Sequence, residues 1–133
     1  MIKRLVFSGI VITSVALLWT ACRPPASEEI PIPTKICIHT QHHFQPIPNA
    51  TVYIKYNTTV FPGYDKPASF YDASFSTGSN DHGCIESVPE GTHWLVSFGY
   101  DSLYYPHQVK GSLPVKVSLS GHATVDTVLY ISE

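Results

Sequence analysis

Apolar and polar positions alternate repeatedly along the chain after residue 34. Alternation at a period of two marks strands with one buried face. Residues 35–40, KICIHT, set Ile36 and Ile38 against Lys35, Cys37 and His39. Residues 50–56, ATVYIKY, set Ala50, Val52, Ile54 and Tyr56 against Thr51, Tyr53 and Lys55. Residues 84–88 make a short strand between an Asp81-His82-Gly83 turn and a Pro89-Glu90-Gly91 corner. Gly83 is placed to take a positive φ in that turn. Residues 92–100 form the most apolar of these stretches. Trp94, Val96, Phe98 and Tyr100 share one face, and His93, Leu95, Ser97 and Gly99 the other. The aromatic face is the one expected to enter the core. Residues 115–119 and 124–131 read as a closing hairpin across Ser120-Gly121-His122. Segments 57–77 and 101–114 hold no sustained period and read as aromatic loops. About seven short strands with turns between them predict one all-β domain over 35–133, a single antiparallel β-sandwich.

The first 34 residues follow a different pattern. Lys3 and Arg4 precede an uncharged, mostly apolar run at 5–19. Its 15 residues, about 22 Å as a helix, fall short of the roughly 20 residues that a span needs. It suits the apolar region of a signal peptide. Thr20 and Ala21 stand directly before Cys22. Leu18-Trp19-Thr20-Ala21-Cys22 resembles the cleavage site of a bacterial lipoprotein signal peptide, with Trp19 where that motif has an aliphatic residue. The resemblance implies that 1–21 is removed and that Cys22 carries palmitate-type acyl chains. It implies membrane attachment at the outer membrane of a Gram-negative bacterium, on the periplasmic or the surface side. Each buried CH₂ of such chains contributes about 0.8 kcal/mol. Residues 22–34 then form a tether, and the four prolines of RPPASEEIPIP favour an extended chain.

A second resemblance covers 35–131. Pro46-Ile47-Pro48-Asn49-Ala50-Thr51-Val52, then Thr77, Asp81-His82-Gly83, Val88-Pro89-Glu90-Gly91-Thr92-His93-Trp94-Leu95 and Gly99-Tyr100, follow in one order. That order resembles the transthyretin-like, carboxypeptidase-regulatory-like sandwich. The Asp-x-Gly turn is one residue shorter than in that family, and His93 stands where it has Tyr. The matching positions are turns and core residues, so they imply a Greek-key fold and carry no information about activity. One branch of the family hydrolyses a urate-pathway intermediate with a basic site and an Arg-containing C-terminus. This chain has no Arg after Arg23.

Composition narrows the function further. Only 14% of the 133 residues are charged and the net charge is -2, which offers nucleic acid no basic surface. No nucleophile elbow, phosphate loop or spaced carboxylate pair occurs. The protein therefore reads as a non-enzymatic accessory or interaction module without a cofactor, its partner an envelope protein or a glycan. His39, His42 and His43 lie close in sequence, with His82, His93, His107 and His122 elsewhere. They match no metal-ligand spacing, and they read as surface and turn residues rather than a metal site. Tyr64, Phe70, Tyr71, Tyr104 and Tyr105 offer loop aromatics for stacking on a ligand such as a sugar.

With Cys22 acylated, Cys37 and Cys84 remain. Alternation turns both away from the core, as separate thiols or as a pair. The transthyretin-like resemblance makes their strands sheet neighbours and so implies a disulfide between them, in an oxidising compartment.

Overall fold

A computed structural model describes residues 34–119 and 124–133. The expected signal segment 1–21, acylated Cys22 and tether residues 22–33 lie outside the described residues. In chain order the strands are β1 (Lys35–His42), β2 (Gln45–Pro46), β3 (Thr51–Lys55), β4 (Ala73–Ser76), β5 (His82–Glu86), β6 (Gly91–Tyr100), β7 (Gln108–Val117) and β8 (Thr124–Tyr130). A single 3-10 turn, Ala68–Phe70, is the one helical piece among the described residues. Two four-stranded sheets result. In one, β1 lies between β5 and β8 and also turns back onto β2. The other runs β4-β3-β6-β7. The expected sandwich is thus the observed fold.

Both sheets contribute their inward positions to one core. Ile36 and Ile38 come from β1, Val52 and Ile54 from β3, Leu95 from β6, Val109, Val115 and Val117 from β7, and Leu129 from β8. Register explains the set. Ile54 pairs with Leu95 and Leu95 with Leu113, so period two puts all three on the same face of the second sheet.

Four expectations need correction. The inward face of β6 is His93, Leu95 and Ser97, all fully buried. Trp94 and Phe98 point to the other side, where they pack on Phe61 and on Tyr53 and Tyr64. Alternation defines two faces of a strand. Here both are covered, one by the facing sheet and the other by the 57–72 segment.

The closing hairpin is not formed. β7 stays antiparallel to β6, while β8 crosses to the other sheet and pairs with β1 in parallel, Ile36 opposite Val125 and Thr40 opposite Leu129. This covers the free flank of β1, whose isoleucines are fully buried.

The two segments read as loops both contain strand. β4 lies inside 57–77, and β7 begins at Gln108 rather than 115. β4 is short, and β7 contains Gly111 and Pro114, which blur the apolar alternation.

In the turn before β5, Asp81 rather than Gly83 takes the positive φ, 61°. Gly83 is required for another reason: a Cβ there would lie 2.6 Å from the Ser76 carbonyl oxygen.

The chain end seals the sandwich. Ile131 donates its N–H to the Gln41 carbonyl, and Ser132 exchanges backbone hydrogen bonds with Lys110. A Cβ at Gly111 would collide with the Tyr130 carbonyl oxygen, so glycine alone lets the C-terminal segment cross β7 this closely.

Two substitutions on the inward face of β6 should move stability in opposite directions. Leu95→Ala empties a fully buried site and should cost about 2 to 5 kcal/mol. The buried Ser97 hydroxyl has no hydrogen-bond partner among the described residues. Ser97→Ala should therefore be neutral or stabilising, by up to about 1 kcal/mol. Denaturant titration of both variants checks the assignment of the face.

Candidate functional site

The outer edge of the β6–β7 pair carries a groove. On this face Phe98 lies opposite Lys110, and Tyr100 opposite Gln108. Two adjoining cavities of about 410 and 270 Å³ share Phe98, Gln108 and Val109. Asn49 and Tyr100 extend one of them; Tyr64, Lys110 and Glu133 complete the other. Tyr100 is 60% exposed. The Tyr64 hydroxyl lies 3.1 Å from Ser112 Oγ, and the Lys110 ammonium sits 5.3 Å from the Tyr64 ring centre. The groove thus combines aromatic faces, two amides and one charge of each sign. Apolar walls with a few placed polar groups are the usual make-up of a small-molecule site.

A polar cluster adjoins it at the end of the sandwich. His42, at the end of β1, meets Asp101, just beyond β6, with Nδ1 and Oδ2 2.7 Å apart. Both side chains are buried. Asp101 also accepts the Leu103 N–H at 2.8 Å, and its carbonyl accepts from His107 Nδ1. The hydrogen bond from His42 and the Leu103 N–H hold the Asp101 carboxyl below its ordinary value of 3.8. The rings of His42, His43 and Tyr104 pack together above, with Glu133 3.9 Å from both imidazoles. This contact joins a strand of one sheet to the last turn of the other.

The tyrosines singled out in the sequence do not form one platform. Tyr71 is buried; it stacks on Tyr53 and donates to the Gly63 carbonyl. Burial, helped by Asp65, pushes its phenol up. Tyr64 meets Phe61 and Phe98 edge-on, and Phe70 lies perpendicular to Tyr71. This group covers the outer face of the second sheet. Tyr104 and Tyr105 stand at the sandwich end beside His43 and His107, 43% and 87% exposed. Of the five, only Tyr64 lines the groove. Tyr100, on the β6 face expected to enter the core, is instead exposed, and the sequence assigns Gln108 no role; an exposed aromatic directly opposite an amide becomes visible only once β6 and β7 are in register.

His93 is a core residue, fully buried. Its Nδ1 accepts the Asn57 N–H at 3.1 Å and its Nε2 donates to the Pro89 carbonyl at 2.7 Å. Both ring nitrogens are used in pinning two loops, which makes it a structural histidine.

Cys37 and Cys84 form a disulfide between directly opposed residues of β1 and β5, with Cα atoms 4.1 Å apart. Closing a loop over 47 positions contributes about 4 kcal/mol in the chain-entropy model. His39 and His82 are the next pair on the same outer face, ring centres 4.5 Å apart.

No family model matches the chain, and no curated protein matches it. Solved structures do. A group B streptococcus pilus 2b backbone protein matches with a TM-score of 0.50 at 17% identity over 74% of this chain. The chain spans 40% of the length of that protein. A Pseudomonas aeruginosa protein provisionally assigned as carbohydrate-binding matches with a TM-score of 0.50 at 15% identity, covering 73% of this chain and 87% of that one. At these identities the likeness is one of fold.

The Asp101–His42 contact predicts a pH dependence. A carboxyl held low in the folded state stabilises the fold above its unfolded value and loses that effect as pH falls through the folded value. Wild type should therefore be more stable than Asp101→Asn at pH 7, and the gap should close as pH drops below 3.8. Thermal midpoints across pH 2.5 to 7 on the two proteins test this; a constant gap would contradict it.

Proposed function

We propose that the protein is a non-enzymatic interaction module of the cell envelope, lipid-anchored through Cys22, and that its ligand is a glycan. The groove beside Tyr100 carries the glycan part of this reading. A sugar offers a flat apolar face and a rim of hydroxyls; Tyr100 and Phe98 supply matching faces, and Asn49, Gln108, Lys110 and Glu133 supply donors and acceptors. The fold likeness to the Pseudomonas protein supports it loosely. The pairing of β1 with β5 is the neighbour relation that the transthyretin-like arrangement implies, which supports placing the domain in that group. The anchoring part rests on the apolar run and Thr20-Ala21-Cys22. A Pro-rich tether would carry the module away from the membrane surface.

Two measurements test the two parts separately. A glycan array on the mature chain should give hits that Tyr100→Ala and Gln108→Ala each weaken about tenfold, the loss of roughly 1.4 kcal/mol of contact. Tyr100 is mostly exposed, so the fold should tolerate both changes. An empty array leaves an envelope protein as the partner class and removes the glycan. Mass spectrometry of native membranes should find a diacyl or triacyl mass on Cys22; an unmodified, released protein would overturn the anchor.

A further inference from the structure

The outer face of the β5-β1-β8 sheet gathers ligating side chains from three strands. His39 on β1 lies directly opposite His82 on β5. Asp126 on β8 is the register partner of Cys37, two residues along the same face from His39. One ligand atom from each of His39, His82 and Asp126 falls within 4.8 Å of the others. We propose that these three residues bind a divalent transition ion, with Zn²⁺ the best fit.

Three features support the assignment. The first is preorganisation. All three residues sit on paired strands, and the Cys37–Cys84 disulfide locks β1 to β5 two register pairs from the histidines, on the same face. Zinc bonds of about 2.0 to 2.2 Å place ligand atoms roughly 3.3 Å apart. From within 4.8 Å, the three ligand atoms would have to draw in by at most about 1.5 Å to reach that spacing.

The second is a support for the ligand. Asp81, nearly buried and held in its left-handed turn, has Oδ1 3.3 Å from His39 Nδ1. A carboxylate on one imidazole nitrogen fixes the ring and leaves Nε2 for a metal.

The third is donor chemistry. Two imidazoles and one carboxylate suit zinc, and a fourth position stays open to water because His39 and Asp126 reach solvent. The two sulfurs beside His82 are tied in the disulfide and offer no thiolate. A bound ion would clip β8, the strand that crosses between sheets, to β1 and β5. This site is separate from the groove and does not depend on the glycan reading.

A second trio, His42, His43 and Glu133, is equally close-set, but His42 is buried and already committed to Asp101. It provides the control. The full chain, untagged, metal-stripped and with its disulfide intact, is titrated with ZnCl₂ by calorimetry, with MgCl₂ in parallel. One equivalent of Zn²⁺ should bind and Mg²⁺ should not. His39→Gln, His82→Gln and Asp126→Asn should each weaken Zn²⁺ binding tenfold or more, Asp81→Asn by about tenfold, and His43→Gln not at all. Asp126 is exposed and its change isosteric, so its effect cannot be ascribed to unfolding. As a second readout, Cu²⁺ bound to wild type should show coupling to two imidazole nitrogens by electron paramagnetic resonance, and to one in His39→Gln. Absence of Zn²⁺ binding, full affinity in Asp126→Asn, or loss of binding in His43→Gln would each overturn the proposal.

Discussion

The fold depends on β1 being paired on both flanks. Its residues Ile36 and Ile38 are fully inaccessible to solvent, and a strand so buried cannot leave its backbone groups unpaired. β5 takes one side in antiparallel register and β8 the other in parallel. Each neighbour carries consequences on the opposite face. The antiparallel register aligns Cys37 with Cys84 and His39 with His82, and the parallel one brings in Asp126. One central strand therefore sets the inward core, the disulfide and the ligand cluster together.

The second sheet is built differently. Both of its faces are covered, one by the first sheet and one by the aromatic segment between β3 and β4. Lys55 helps hold that segment, donating to the Phe70 carbonyl and to Asp72 while lying 4.8 Å from the Phe70 ring centre. Asp72 in turn accepts the Tyr56 N–H at 2.7 Å. Most loop aromatics are thus spent on packing, edge-on to one another. The cover stops short of the far end of β6 and β7, where Phe98 is half-buried and Tyr100 and Gln108 are exposed, and this strip becomes the groove.

The sandwich end joins the two halves. Ile131 lies over Gly111 and Gly99, glycines that admit a crossing chain, and the buried His42–Asp101 contact ties β1 to the turn after β6. Glu133 then falls between the groove and the histidines. The groove and the His42–His43 pair are neighbours because the last residues of the chain cross from one sheet to the other.

Local pattern alone determined a good part of this. Period-two alternation identified β1, β3 and β6, because a half-buried strand imposes that spacing whatever its partners, while the flanking turn and corner marked β5, which begins two residues earlier, at His82. It also turned Cys37 and Cys84 away from the core. It did not determine which face of β6 meets the other sheet. Trp94 and Phe98 are as apolar as Leu95, and only the placement of segment 57–72 decides between them. Nor did it determine the partner of β8: an alternating strand fits an antiparallel hairpin or a parallel flank equally well until β1 is seen to need a neighbour. The groove, the Asp101–His42 contact and the His39–His82–Asp126 cluster were invisible for the same reason. Each joins residues distant in sequence, and strand register, a property of the assembled sheets, is what brings them within reach.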